Sequence, residues 1–273
     1  MNFRNALLLS LMIPLLAACG TSFSIPQVGE GDTETATKMF AAARAEPVSV
    51  SLSQSAAQSR FQRVARRVAP AGKKVCEAAT ADREDFNCSV DVGIDTKMKE
   101  RNAYFTHVNG DPVIRISMPL LMDTQSDDEV AFVLSHEFGH LIGRHIEKQE
   151  QQAVAGALIM GALAAYANAN AAAAGQYYDP NAVSRNVEIG AALGSIAYSQ
   201  TYELESDTLG TYIAKTAGYD PVKGAQYFAR PEDVRTEAGN LSFWGTHPPD
   251  EKRLATVLAT MREIEAGGGL QQK

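Results

Sequence analysis

A short string in the middle of the chain, His136-Glu-Phe-Gly-His140, constrains the fold more than any other feature. Histidines four residues apart on a helix lie on the same face, so both imidazoles can reach one metal ion. Glu137 projects about 100° away from His136, where its carboxylate can take a proton from a water molecule at the metal. The flanking residues are almost all apolar, which predicts a buried helix whose polar groups need a partner. A Ser126-Asp-Asp-Glu129 capping box should open this helix, which we expect to run to about Gln149.

A second long helix is predicted to supply the third metal ligand. Residues spaced alternately by three and four form one stripe, and the first half of this stripe is apolar. Its members are Ile189, Leu193, Ile196, Gln200, Glu203, Asp207, Gly210 and Ala214. If the apolar half faces the core, Glu203 and Asp207 point inward too, and two buried carboxylates repel each other unless a cation lies beside them. We therefore predict Glu203 as the third zinc ligand, with Asp207 accepting a hydrogen bond from a ligand imidazole. The alternative is a pair of carboxylates that faces solvent.

Three motifs in a fixed order resemble those of one family of zinc peptidases. The histidine string is followed by Glu203-Leu-Glu-Ser-Asp207 and then by Thr246-His247-Pro248, with Arg253 downstream. Together they resemble the HtpX and CAAX-prenyl-protease family of zinc metallopeptidases, and within it the soluble periplasmic lipoprotein branch. The resemblance covers about residues 55–260. It implies a minimal gluzincin fold with one zinc ion bound by His136, His140 and Glu203.

Two residues near the C-terminus acquire candidate roles through this resemblance. His247 lies in a loop stiffened by Pro248 and Pro249 and could reach the active site. There it would donate a hydrogen bond to the oxyanion of a tetrahedral intermediate, or occupy the open zinc position and hold the enzyme latent. A purely structural histidine is the third reading. Arg253 resembles the structural arginine of the family and could pair with Asp207.

The stretch before the histidine helix changes from helical to alternating patterning. Alternating segments lie between Phe86 and Met118, and Asn109-Gly-Asp-Pro112 is a strong turn signal. We predict an α+β fold: a mostly helical domain with a small, mainly antiparallel sheet of about three strands beside the zinc helix. By the family resemblance, one short segment forms a strand edge at the cleft, where an extended substrate can pair through its main chain. The edge residues are Asn102, Ala103 and Tyr104.

The first residues have the pattern of an export signal. Residues 1–18 carry one basic residue, Arg4, then an apolar run and small residues that end before Cys19. This resembles a bacterial lipobox, which predicts a lipid on Cys19 that anchors the mature chain to a membrane. Gly20 follows the cysteine, and the absence of Asp there favours the outer membrane, facing the periplasm. A plain secretory signal with an incidental cysteine is the alternative.

Domain boundaries follow from composition. Residues 19–50 are predicted to be a tether with one short helix near Glu34–Arg44. The peptidase domain is predicted over 51–265, beginning with a helix over Ser55–Val68 that ends at Pro70. Residues 266–273, with three consecutive glycines, are predicted to be a flexible tail.

Cysteine usage predicts one disulfide. With Cys19 assigned to lipid, Cys76 and Cys88 remain as an even pair in an oxidising compartment, which favours a bond between them. Two free thiols are the alternative.

Charge and hydropathy exclude some classes of function and leave one open. Lys and Arg number 25 and Asp and Glu 32, for a net charge of −7, so we expect no nucleic-acid partner. Residues 153–175 carry no charge but consist largely of alanine, which favours a helix packed on the Gly190–Gly194 segment. A hairpin that dips into a membrane is the alternative.

Two functions remain from these observations. The first is a membrane-anchored periplasmic zinc endopeptidase that hydrolyses envelope or misfolded polypeptides. The second is a zinc-containing chaperone-like or adaptor lipoprotein in outer-membrane assembly whose peptidase activity is latent, with assembly proteins as partners. Replacement of Glu137 by Gln separates them, because it removes only the hydrolytic step.

Overall fold

The structure, a computed structural model, describes residues 20–45, 51–176, 179–196, 199–230 and 242–273. The predicted export signal and Cys19 lie outside these ranges. The described residues divide into two compact units. The smaller unit comprises Arg144–Thr201, and the larger unit comprises Ser22–Gly143 and Tyr202–Lys273.

Helices account for most of the described residues. In chain order they are α1 (Glu30–Ala45), α2 (Gln54–Ala79), α3 (Met118–Asp123), α4 (Asp127–Gly143), α5 (His145–Ala173), α6 (Ala182–Ile196), α7 (Ser199–Thr216), α8 (Pro221–Ala225), a 3₁₀ turn (Gln226–Ala229), α9 (Phe243–Thr246) and α10 (Glu251–Glu265). The strands are β1 (Asp91–Asp95), β2 (Ala103–Val108) and β3 (Asp111–Ser117). The predicted α+β class, mostly helical with a small sheet, is confirmed.

The sheet is mixed rather than mainly antiparallel. Its strand order is β1-β3-β2, so β3 is central and β2 lies at one edge. β2 pairs antiparallel with β3, whereas β1 pairs parallel with it. The predicted turn is present: Asn109 and Gly110 have φ angles of 54° and 90°, as a tight two-residue hairpin requires. Alternating polarity reports which face of a strand is buried, not which strand is its neighbour, so the parallel pair could not be predicted.

Helix α2 does not end at Pro70 as expected but continues to Ala79. Pro70 and Arg66, four residues earlier, both lie on the exposed face of the helix. Pro70 has no N–H to donate to the carbonyl of Arg66, and because this carbonyl lies on the exposed face it can bond to water instead. The buried face continues beyond the proline through Gly72 and Cys76, and packing on that face carries the helix onward.

The histidine helix α4 is shorter than predicted. Its predicted N-terminus is present, because the Glu129 backbone N–H donates to Ser126 Oγ at 3.2 Å. It ends at Gly143 rather than near Gln149, since Arg144 adopts a left-handed conformation with φ of 56° and a new helix begins at His145. One non-glycine residue in that conformation is enough to redirect the chain.

Both predicted flexible ends pack on the larger unit in part. Phe23, in the predicted tether, is only 1% exposed. The Ser24 N–H donates to Gln271 O at 2.8 Å, and the Lys273 N–H donates to Ser22 O at 3.0 Å. The predicted tail therefore pairs with the segment that follows Cys19. The end of α2 is held separately, where Cys76 forms a disulfide with Cys88.

The smaller unit is a helical hairpin made of α5 and α6. The two helices touch through glycines: a Cβ on Gly156 would lie 2.0 Å from Gly190 O, and a Cβ on Gly194 would lie 2.1 Å from Gln152 O. The predicted packing of the alanine-rich helix on the Gly190–Gly194 segment is therefore present. The apolar half of the predicted stripe does not face the core along its whole length, because Leu193 on α6 is 57% exposed. The residues between α6 and α7 lie outside the described ranges.

Candidate metal centre

The close approach of α4 and α7 creates the site. A Cβ on Gly139 would lie 2.7 Å from the Cα and O atoms of Ser206, and one on Gly210 would lie 3.0 Å from His136 N. Small residues on both helices therefore let the two backbones come nearly into contact. Because of this contact, short side chains from α4 and α7 can meet at one point.

Three predicted ligands converge there. His136 Nε2 lies 3.0 Å from His140 Nε2 and 3.3 Å from Glu203 Oε2. His140 Nε2 lies 3.4 Å from Glu203 Oε1. Ligand atoms about 2.0–2.2 Å from a tetrahedral zinc ion are roughly 3.4 Å apart. Each imidazole nitrogen contacts a different oxygen of Glu203, and one ligand atom from each residue lies close enough to the others for a single ion to bind all three.

The chemistry of the donors also fits zinc. Two imidazoles and one carboxylate form a set that catalytic zinc sites use, with a further position left for water or substrate. Glu203 Oε2 is buried and accepts no hydrogen bond, so it has a lone pair to offer to a metal ion. Burial alone would raise the pKa of Glu203, but Arg253 and a hydrogen bond with His136 hold it well below its ordinary value, so the carboxylate is charged.

Asp207 holds the first histidine, as predicted. Its Oδ1 lies 2.9 Å from His136 Nδ1. Since a carboxylate can only accept, Nδ1 carries a hydrogen, which leaves Nε2 as the nitrogen that can bind a metal ion. Burial alone would lower the pKa of His136, but hydrogen bonds to Asp207 and Glu203 raise it to about 9.

Arg253 forms the predicted pair with Asp207. Its Nε and Nη2 donate to the two carboxylate oxygens of Asp207, each at 2.7 Å, and its Nη1 lies 3.2 Å from Glu203 Oε2. Burial disfavours the charged guanidinium, yet Asp207 and Glu203 keep the pKa of Arg253 above its ordinary value. One arginine from α10 therefore neutralises both carboxylates of α7.

Glu137 lies beside the ligands and not among them. Its side chain is 1% exposed, and its Oε1 accepts no hydrogen bond. Burial raises the pKa of the Glu137 carboxyl to about 7, against a lowering effect of His136 and of a backbone hydrogen bond from Phe105. A carboxyl with a pKa near neutrality can both take up and release a proton.

His247 reaches the site from the loop after α9. Its Nε2 lies 3.5 Å from Glu137 Oε1, and it belongs with the three ligands to a group whose ligand atoms all lie within 4.8 Å of one another. Its ring stacks on Phe243, with centroids 4.6 Å apart, and its Nδ1 lies 2.9 Å from Thr246 Oγ1. Burial lowers the pKa of His247 to about 4, so the imidazole is neutral. A neutral Nε2 can donate a hydrogen bond or bind a metal, according to its tautomer.

The predicted edge segment borders the site. Ser117 N–H donates to Asn102 O, and the register pairs Ala103 with Ile116. Backbone polar groups alternate along an antiparallel edge strand, so those of Ala103 and Phe105 point away from β3. The Phe105 N–H reaches Glu137 from that side. The edge of β2 that points away from β3 therefore lies next to Glu137 at Phe105.

The other two edge residues have structural contacts. Tyr104 donates its hydroxyl to Asp95 Oδ2 at 2.8 Å, which ties β2 to the far strand of the sheet. Asn102 Oδ1 accepts from Thr246 Oγ1 at 3.3 Å and so links the strand to the loop that carries His247.

Sequence reasoning missed several residues of the site. Phe228 packs under Arg253, with the guanidinium carbon 4.0 Å from the ring centroid, and its ring lies 5.4 Å from that of His136. The small residues at the helix crossing, Gly139 and Ser206, were seen only as parts of motifs. Their spacing opposite each other could have indicated a close helix contact. No comparable signal singles out Phe228, since its partners come from distant parts of the chain.

Comparison with known proteins places this geometry in context. The sequence model of peptidase family M48 matches residues 55–261. The chain is 27% identical over 157 residues to the mitochondrial metalloendopeptidase OMA1 of Arabidopsis thaliana, covering 54% of this chain and 29% of that protein. It is 27% identical over 164 residues to the beta-barrel assembly-enhancing protease of Escherichia coli (strain K12), covering 55% of this chain and 30% of that protein. The putative beta-barrel assembly-enhancing protease of Vibrio cholerae is 29% identical over 146 residues.

These relatives are much longer proteins. The matched part of this chain spans less than a third of the length of each. No solved structure matches the chain.

Proposed function

The chain belongs to peptidase family M48, as its motifs predicted, and on that premise we propose that it is a zinc endopeptidase acting on extended or misfolded polypeptides. The observation that carries the proposal is the convergence of His136, His140 and Glu203 with a buried, unbonded carboxyl oxygen of Glu137 beside them. Zinc supplies Lewis-acid chemistry in such a site: it makes water more acidic and polarises a carbonyl group.

Glu137 is the proton carrier. Its Oε1 is the carboxyl oxygen without a hydrogen-bond partner, so it is the atom that takes a proton from the attacking water. The same oxygen then delivers the proton to the leaving amine, since the pKa of about 7 lets the carboxyl act as base and acid in turn. The apolar residues around α4 keep bulk water away from this exchange.

The free edge of β2 binds the substrate backbone. The Phe105 N–H, which bonds Glu137 in this structure, marks the point on this edge where a peptide added as a further strand would run past the catalytic carboxyl. Main-chain hydrogen bonds of this kind accept many sequences in extended form, and folded segments cannot make them. Unfolded or misfolded polypeptides are therefore the substrate class that this edge suits.

We place the enzyme at the periplasmic face of the outer membrane, held by a lipid on Cys19. The support is the sequence pattern before Gly20, together with the similarity to the beta-barrel assembly-enhancing protease of Escherichia coli. Envelope proteins are then its substrates, and outer-membrane assembly proteins are candidate partners. Incorporation of labelled palmitate into the parent chain, and none into Cys19→Ser, is the expected result; labelling of both would contradict the anchor.

Replacement of Glu137 by Gln tests the activity. We expect one equivalent of zinc in both parent and Glu137→Gln, with casein hydrolysis lowered at least about a hundredfold in the variant. Glu263→Gln, an exposed glutamate on α10, is the matched control and should retain full activity. Equal activity in Glu137→Gln would refute the mechanism. A parent chain that binds zinc but cleaves nothing would favour a zinc-containing chaperone or adaptor in outer-membrane assembly.

His247→Ala distinguishes the two active roles of that residue. If His247 donates to the oxyanion, removal lowers kcat by about 10²–10³. If it occupies the open zinc position in a latent enzyme, removal raises activity. The measurement is casein hydrolysis at equal zinc content, and unchanged activity would contradict both roles.

A further inference from the structure

The hairpin of α5 and α6 exposes an apolar surface that the peptidase mechanism does not use. Helix α5 is long and apolar enough to cross a membrane by length and composition. Large apolar side chains project from it into solvent: Leu158 is 65% exposed, Leu163 59% and Tyr166 69%. Residues 153–175, roughly 35 Å of helix, carry no charge on any face. A helix that is apolar all round is normally covered.

The internal packing of the hairpin explains why these side chains face outward. The two helices meet through Gly156, Gly190 and Gly194, whose Cβ positions would clash with the backbone of the other helix. Close backbone contacts at these glycines, with Met160 and Val187 beside them, therefore satisfy the contact between α5 and α6. The larger apolar residues are left on the outer surface, where their burial requires another partner.

The chain itself indicates which partner this is. The described chain begins at Gly20, directly after Cys19. A lipid on Cys19 would hold this chain, and with it the uncharged surface of α5, at a membrane. One lipid anchor and one apolar surface together give firmer membrane binding than either alone.

The charges of the hairpin decide how it would lie in the membrane. Asp179 and Arg185 form an exposed ion pair near the turn, and Glu188 follows on α6. If α5 crossed the bilayer, Asp179 in the turn would lie on the far side of it. Helix α6 would then cross back with Arg185 and Glu188 inside the hydrocarbon layer, and burying charges there is costly. A hairpin lying in the interface keeps these charges in water.

We propose that the outer surface of the α5–α6 hairpin inserts into the interfacial layer of a phospholipid membrane and is a second attachment site beside the lipid on Cys19. The inference rests on the proposed membrane location but not on the peptidase activity. It makes the hairpin a membrane-binding element and leaves the metal centre to the larger unit.

A fluorophore on the hairpin tests this directly. The chain from Gly20 to Lys273 contains every described residue and lacks the anchor. Leu158→Cys in that chain, labelled with an environment-sensitive dye, is mixed with vesicles of phosphatidylethanolamine and phosphatidylglycerol. We expect a blue shift and quenching by brominated lipid. Val108→Cys, an exposed apolar position in the larger unit, is the matched control and should show no shift.

A second pair of variants measures the binding. Leu163→Glu should lower vesicle partitioning at least about tenfold, whereas Val108→Glu should leave it unchanged. A shift at Leu158→Cys that depends on protein concentration and needs no vesicles would assign the surface to a second copy and overturn the proposal. No shift with vesicles would overturn it as well. Casein hydrolysis and zinc content, measured on the same samples, report the proposed function separately.

Discussion

Replacement of Asp207 by Asn tests the network behind the metal centre. The carboxylate of Asp207 accepts two bonds of 2.7 Å from Arg253 and lies 2.9 Å from His136 Nδ1, and all three residues are buried. Asn has the same shape but no charge, and its amide group can accept on only one of its two atoms. Either Arg253 or His136 must then face a donor.

The structure sets the size of the effect. Removing one partner of a buried ion pair costs about 3–5 kcal/mol of stability. The charge of Arg253 would still be paired in part, because its Nη1 lies 3.2 Å from Glu203 Oε2. We therefore expect the free energy of unfolding of Asp207→Asn to fall by about 3 kcal/mol. Loss of the acceptor that orients a ligand imidazole lowers metal affinity about 10–100-fold.

Two measurements check these values. Urea denaturation of the zinc-free protein gives the change in stability, and competition with a chelating dye gives zinc affinity. Asp127→Asn is the matched control, because Asp127 pairs with Arg63 at 2.6 Å on the surface and such pairs contribute at most about 1 kcal/mol. Zinc affinity of Asp207→Asn within twofold of the parent would refute the view that Asp207 orients His136.

The remaining predictions concern the packing that positions the site. Gly139→Ala should lower the free energy of unfolding by about 2–4 kcal/mol in urea, because its Cβ would meet the Ser206 backbone at 2.7 Å. Gly31→Ala, where nothing lies within 4 Å, should be neutral or stabilising, and equal losses in both would contradict the close helix contact. Peptide mass mapping should recover Cys76 linked to Cys88, and reduction should lower stability by about 2–4 kcal/mol; two alkylatable thiols in the unreduced protein would contradict the bond.

The third ligand shows how a correct prediction can come from a partly wrong premise. The apolar first half of the stripe was expected to face the core, yet Ile189 and Leu193 on α6 are exposed. Glu203 points inward because α7 is buried on all sides from Tyr202 to Thr211, next to the small residues of α4. Helical spacing places Glu203 and Asp207 on one face of α7, but it does not determine whether that face is buried.

Chain breaks and strand partners were the least predictable features. Pro70 was expected to end α2, but its exposed position removes most of the penalty. The left-handed residue that ends α4 is Arg144 and not the neighbouring Gly143, which is the residue that the sequence would favour for that conformation. In both cases the outcome depends on which side of the helix faces solvent and on what packs against the other side.

Local spacing was sufficient for the chemistry on α4. A helix periodicity of 3.6 residues brings His136 and His140 to one face and sets Glu137 aside, whatever the rest of the chain does. The distances between elements could be obtained only from the tertiary structure. Contacts at Gly139 and Gly210 bring Glu203 to those imidazoles, and Arg253 neutralises the carboxylates of α7. The edge strand β2 lies next to the Glu137 carboxyl. Those distances depend on how side chains from distant segments of the chain pack against each other. Spacing along the sequence does not show which of these side chains come into contact after folding.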